Sequence, residues 1–150
     1  YLPLSATVAR DSIYRTFDDA HTLQHGHTFC GNPIACAAAL AALQVYRELD
    51  APRLARELES VLREVLSELT GHPRVREVRV LGAIGVVELN PEAQPSPVTL
   101  PHRIRLRLQA EGVLLRPLGN VLYLLPPLII SPAELRSLAR HLCTAVRETS

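Results

Sequence analysis

The apolar residues follow two different rhythms along the chain. Across residues 34–49, alanines at 35, 37, 38, 39, 41 and 42 mix with Ile34, Leu40, Leu43, Val45 and Leu49, so the stretch is apolar nearly all round. Alanine is the best helix former, and small side chains let another backbone come close. The stretch therefore reads as a helix that expects cover on several sides. Asn32 can cap it, and Pro33 suits its first position, where a missing N–H costs nothing. After Asp50-Ala51-Pro52 the rhythm changes. Leu54, Leu58, Val61, Leu62, Val65, Leu66 and Leu69 recur at three- and four-residue steps, with Arg and Glu between them. That is an amphipathic helix, ended by Gly71 and Pro73.

Shorter elements follow. Residues 75–89 hold two apolar runs around Gly82 and Gly85, which predict strands with a kink or turn. Residues 90–97 contain three prolines and form a loop. Residues 99–111 have helical spacing, ended by Gly112. Residues 113–116 and 121–125 read as short strands about a Leu118-Gly119-Asn120 hairpin turn. Ser131-Pro132-Ala133-Glu134 is a capping box that opens a last helix, through about Glu148. Near the start, residues 4–9 look like a short strand, 10–18 like a short helix, and 21–31 like a loop.

The expected fold class is α/β, divided at about residue 50. Residues 51–150 run helix, strands, helix, two strands, helix, which suggests a small, mostly antiparallel sheet under helices. Residues 1–50 hold one strand with no partner in view, and a lone strand cannot satisfy its backbone edges. They are expected to be the tail of a larger domain. The absence of methionine fits a segment of something longer, and Tyr1-Leu2-Pro3-Leu4 lacks the basic start of a signal peptide.

Composition narrows the function. With 47% apolar and 21% charged residues the chain is globular rather than disordered. A net charge of +1 gives no reason to expect nucleic acid or an anionic membrane as a partner. Apolar stretches are broken too early for a transmembrane helix. Three cysteines, Cys30, Cys36 and Cys143, suit no zinc spacing and read as free buried thiols in a reducing, cytoplasmic compartment. All 16 basic residues are arginines, so these residues can supply no lysine amine as a Schiff base or buried base.

Two places could carry chemistry. The loop at 21–31 holds His21, His25 and His27, whose spacing could serve zinc, but no nearby Asp or Cys completes a ligand set. Solvated loop histidines, with no metal, are the favoured reading. The same loop, with Gly26, Thr28 and Gly31, leads into a helix N-terminus and could offer N–H and hydroxyl donors to a phosphate, or be a plain connection. Arg116 stands in the apolar run Leu114-Leu115-Arg116-Pro117. There a guanidinium needs a structural carboxylate or an exit to water, or grips a substrate carboxylate. Tyr123 is expected in the core with a bonded hydroxyl, and Glu88 at the surface of a strand end. No nucleophile elbow, dinucleotide fingerprint or P-loop is present in the sequence.

His25-Gly26-His27-Thr28-Phe29-Cys30-Gly31-Asn32-Pro33 resembles the histidine-glycine-x-threonine-phenylalanine-x-glycine-asparagine-proline signature of class III aminotransferases. Residues 80–89 and 115–127 are similar to later parts of the same family. The arginine-proline stretch ending in Tyr123-Leu124-Leu125-Pro126-Pro127 points to its biotin-pathway branch. The resemblance covers nearly the whole chain. It implies the C-terminal part of a fold-type I transferase that uses pyridoxal 5′-phosphate and works as a homodimer, with active sites at the subunit interface. The implied reaction moves an amino group, from S-adenosylmethionine, to 8-amino-7-oxononanoate. Thr28 matches the residue that donates to the cofactor phosphate of the neighbouring subunit, and His27 beside it is a weaker cofactor candidate. Arg116 matches the arginine that binds the substrate carboxylate, and Gly26 is a weaker substrate-side candidate. The cofactor-holding lysine of the family lies before the part that residues 1–7 resemble. These residues are therefore expected to contain no catalytic residue and to be inactive alone. Another class III member, such as an ω-amino acid aminotransferase, or a non-catalytic remnant or dimerisation module, are the competing readings.

Overall fold

A computed structural model describes residues 2–18, 20–91 and 97–149. They belong to two units, Tyr1–Leu49 and Asp50–Ser150. In the first unit, residues 4–9 form no strand, contrary to the sequence reading. A strand is held by a partner's N–H and C=O groups, and no partner strand is present among the described residues of this unit. Helix α1 (Asp11–Tyr14) is a single turn, shorter than the expected 10–18, with an Arg15–Asp11 ion pair at 2.5 Å. Helix α2 (Pro33–Glu48) starts where the Asn32-Pro33 pair demands. The Asn32 carboxamide oxygen accepts from the Ile34 and Ala35 N–H groups at 3.0 and 3.1 Å. Of the residues of α2 only Ala35 is buried, and Ile34 and Leu40 are about 70% exposed, at 72% and 69%.

The second unit contains the core. Helix α3 (Ala51–Leu66) continues into a 3-10 turn at Ser67–Leu69. Its stripe buries Leu58, Leu62, Val65, Leu66 and Leu69. Strands β1 (Val75–Leu81), β2 (Ile84–Leu89) and β3 (Val121–Leu124) form a sheet in that order, antiparallel throughout. Alternation puts Val80, Gly85, Val87, Leu89, Leu122 and Leu124 on the inner face. Helices α4 (Leu100–Ala110) and α5 (Pro132–Glu148) complete the layer, through Ile104 and Leu108 and through Leu135, Ala139, Leu142, Cys143 and Val146. Burying each such leucine contributes roughly 1.5–3 kcal/mol.

The two glycines between the first strands do different work. Gly82, at φ +55°, makes the β1–β2 turn. Its N–H donates to Glu59 Oε2 at 2.8 Å, and Arg63 Nη2 donates to the Val80 carbonyl at 2.8 Å, so α3 holds the hairpin by two bonds. Gly85 is no turn residue. It sits inside β2 where α3 crosses, and a Cβ there would stand 2.8 Å from Leu66 Cδ1.

The other departures lie near β3. Residues 113–116, expected as a strand, join no ladder. Pro117, at the end of this segment, has no N–H to donate to a ladder. The Leu118-Gly119-Asn120 turn is closed by a single Leu118–Val121 bridge instead, with Gly119 at φ +57°. Residues 92–96 of the expected 90–97 loop lie outside the described residues. Tyr123 is half-buried opposite Val86, and its hydroxyl bonds no protein group among the described residues, contrary to expectation. The Cys143 thiol is buried and burial pushes it up to about 11, but Cys36 is half-buried and Cys30 exposed, so the expectation of three buried thiols holds only for Cys143.

Candidate functional site

The loop before α2 builds a small donor surface. The Cys30 N–H donates to the His27 carbonyl at 2.9 Å, and the Asn32 N–H to the Phe29 carbonyl at 3.1 Å. Gly31, at φ +67°, turns the chain between them. The result is a tight turn over Thr28-Phe29-Cys30-Gly31 with the Thr28 hydroxyl exposed. The N–H groups of Thr28, Phe29 and Gly31 have no protein acceptor among the described residues.

The helix end behind this turn is closed. Ile34 and Ala35 give their N–H groups to the Asn32 side chain, and Cys36 gives its own to the Asn32 carbonyl at 2.9 Å. Pro33 has no N–H. An anion at this loop would be held by the turn and the Thr28 hydroxyl, not by the first-turn amides that a helix N-terminus ordinarily offers. The donor set fits a phosphate. It contains no carboxylate, its N–H groups are uncommitted, and a small hydroxyl stands among them. It offers nothing for an aromatic ring.

Gly26 sits two residues before Thr28, with nothing within 4 Å of where a Cβ would stand. The His25 and His27 rings meet edge to face at 4.9 Å between centroids. His21 bonds Asp18 Oδ1 instead, at 3.0 Å, and the Asp18 carboxyl is held below its usual range by the His21 N–H and ring. The histidines thus divide between two local contacts. Among the described residues no group of three or more His, Cys, Asp or Glu side chains could hold a metal ion.

Arg116 lies in the second unit, in irregular backbone rather than in a strand. Leu115 points into the core, while Leu114, at 88%, and Arg116 are exposed. The guanidinium makes no ion pair or hydrogen bond with a described residue. Many arginines of this unit behave differently. Arg107 holds Glu111 and Glu148 at 3.2 and 2.6 Å, and Arg74 donates to the Val146, Arg147 and Thr149 carbonyls at the end of α5. Thr28, His27 and Gly26 therefore share one loop, and Arg116 belongs to the other unit.

Sequence reading missed two arrangements. Glu88 is not a bare strand-end residue. It is half-buried inside β2 and is gripped by Arg79 at 2.7 Å and Arg76 at 3.2 Å, which hold its carboxyl low. Its alternation with Val87 was the available signal. The other is the thiol of Cys30, which accepts the His27 N–H at 3.2 Å. A three-residue spacing across a glycine-bounded turn was its only trace in the sequence.

Comparison with known proteins agrees with this frame. The model of the family "Aminotransferase class-III" matches residues 2–146. The chain belongs to the class III aminotransferases. The adenosylmethionine-8-amino-7-oxononanoate aminotransferase of Synechococcus elongatus is 41% identical over 92% of this chain and 33% of its own. The crystal structure of the Methanocaldococcus jannaschii protein of the same name superposes at TM-score 0.83, with 32% identity over 100% of this chain and 36% of that one. An omega transaminase from Pseudomonas jessenii in complex with PMP gives 0.74, with 30% identity over 85% of this chain and 29% of its own. The chain thus spans about a third of the length of the relatives it matches.

Proposed function

We propose that these residues are the C-terminal part of a pyridoxal 5′-phosphate aminotransferase that transfers an amino group, from S-adenosylmethionine, to 8-amino-7-oxononanoate. On this reading residues 1–50 end the large cofactor-binding domain, and residues 51–150 are the small C-terminal domain. The full-length protein is a homodimer of the cytoplasm, and no helix among the described residues is long and apolar enough to cross a membrane. Support comes from the relatives of that name and from the two donor groups above.

Bound pyridoxal phosphate supplies the electron sink that stabilises charge on the amine-bearing carbon. The turn at residues 27–31 holds its phosphate through the Thr28 hydroxyl and neighbouring N–H groups, with His27 alongside. Arg116, with Gly26 a weaker substrate-side contact, orients the acceptor by gripping its carboxylate with a two-pronged fork. Fixing both ends of the reacting pair removes much of the entropy cost of their encounter. The 150 residues contain no lysine, so they offer no amine to tether the cofactor or carry a proton, and by themselves they are inactive.

The observation that carries the substrate assignment is the exposed Arg116 guanidinium without a carboxylate of its own among the described residues. In the full-length enzyme, Arg116→Ala should raise KM for 8-amino-7-oxononanoate and cut kcat/KM on the order of 30-fold, about 2 kcal/mol. KM for the amino donor should not change. An unaltered acceptor KM would remove Arg116 from the site. A second reading, an ω-amino acid aminotransferase, draws on the structural match to omega transaminases. Turnover of simple ω-amino acids in preference to 8-amino-7-oxononanoate would favour it.

A further inference from the structure

Two bonds join His27 and Cys30 in opposite directions. The Cys30 N–H donates to the His27 carbonyl at 2.9 Å, and the His27 N–H donates to Cys30 Sγ at 3.2 Å. The first is a turn bond that any residue but proline at 30 would make. The second needs an acceptor one atom beyond Cβ, which only a thiol, a hydroxyl or a similarly short polar side chain supplies. Without it the His27 N–H has no protein acceptor among the described residues.

Together the two bonds clamp both ends of a segment whose middle residues are Thr28 and Phe29. The free N–H groups of Thr28 and Phe29 and the Thr28 hydroxyl lie between the clamped ends, and the Gly31 N–H follows directly. Gly31 at φ +67° and the Asn32 bond to Phe29 then fix the exit of the chain toward α2. The donors are thus set in place before any anion arrives, and a site that is already ordered loses less freedom on binding.

We infer that Cys30 is a positioning residue for the cofactor phosphate: its thiol, by accepting the His27 N–H, holds the turn that presents Thr28. The inference rests on the reading of this turn as the phosphate site. Sulfur is a weak acceptor, so the effect is a few-fold change in affinity rather than loss of binding.

The test uses the full-length apoprotein and equilibrium dissociation constants for pyridoxal phosphate and for pyridoxal, which lacks the phosphate. Cys30→Ala should raise the constant for pyridoxal phosphate about three- to tenfold. It should leave that for pyridoxal, and the melting temperature of the apoprotein, unchanged. Cys30→Ser keeps an acceptor and should behave like the parent. Thr28→Ala is the control for the site itself. If Thr28→Ala weakens pyridoxal phosphate selectively and Cys30→Ala does not, the site stands and the role of Cys30 is overturned. Equal weakening of both ligands by Cys30→Ala overturns it as well, because the thiol would then be merely structural. If Thr28→Ala has no selective effect, the phosphate reading fails and the inference fails with it.

Discussion

Gly85 illustrates what one missing methyl group does. The residue faces α3 from inside β2, and an added Cβ would meet Leu66 at 2.8 Å and Leu62 at 3.3 Å. Leucine methyls can shift, but both leucines are fully buried in a packed layer. Gly85→Ala should therefore destabilise the second unit by about 1–3 kcal/mol, read as a lower urea midpoint with an unchanged slope. From the sequence alone Gly82 and Gly85 were equivalent kink candidates. What separates them is the helix lying over one of them. The buried thiol of Cys143 makes a second test. Its proton leaves near 9.0 when solvated and near about 11 in the fold. The folded state therefore binds more protons than the unfolded one between those values. Stability is fully present below pH 9 and falls as pH rises from there toward 11. Urea midpoints at pH 8 and 10.5 should show the loss, and Cys143→Ala should make it smaller. A thiol reagent should label Cys30 readily and Cys143 only on unfolding.

At the scale of elements, the helix starts were legible and the isolated strands were not. Asn32 and Ser131 cap as their neighbours foretell, because a cap involves only three or four consecutive residues. Ser131 accepts from the Glu134 N–H, and the Glu134 side chain bonds back to the Ser131 N–H at 3.1 Å. Ser131→Ala should cost about 1 kcal/mol, measurable as a fall in Tm of the second unit. Ser131→Asp, which keeps an acceptor, should recover most of it. Strands have no such local closure. Residues 4–9 and 113–116 have the composition of strands but join no ladder, whereas β1, β2 and β3 pair antiparallel, with one irregularity between Val75 and Glu77. The far end of α5 was also beyond local reading. The group that satisfies its last carbonyls is Arg74, more than seventy positions earlier in the chain.

For the whole molecule, the contrast is between a unit with a core and a unit without one. Asp50–Ser150 contains nearly all the buried apolar residues, and among the described residues of Tyr1–Leu49 only Ala35 is buried. Along α2, Ile34, Leu40, Leu43, Val45 and Tyr46 stand exposed. A hollow of about 490 Å³ opens between Leu2, Leu4 and the alanine side of that helix. Exposed apolar surface of this kind favours association. The 150 residues expressed alone should self-associate, seen as mass above 16.5 kDa in light scattering. Leu40→Glu with Leu43→Glu should shift them toward monomer. Hydrogen exchange should be slow at Val87 and Leu122 and fast along α2. A monomer with uniformly protected α2 would contradict this division.

The residue pattern by itself determined the α/β class with a small antiparallel sheet and the long helices with their Asn32 and Ser131 caps, and it nominated the Thr28 loop and Arg116 as candidates. Those depend on periodicity, on capping over a few residues, and on charge in an apolar context, all of which are local. Tertiary structure decided which glycine turns and which one packs, which extended segments become strands, and that Glu88 is gripped by two arginines. It also decided that Arg116 stands free of any described carboxylate and that the Cys30 thiol closes the Thr28 turn. Each of these depends on which groups meet in space, and pairing, packing and ion contact between distant residues leave no periodic mark on the chain.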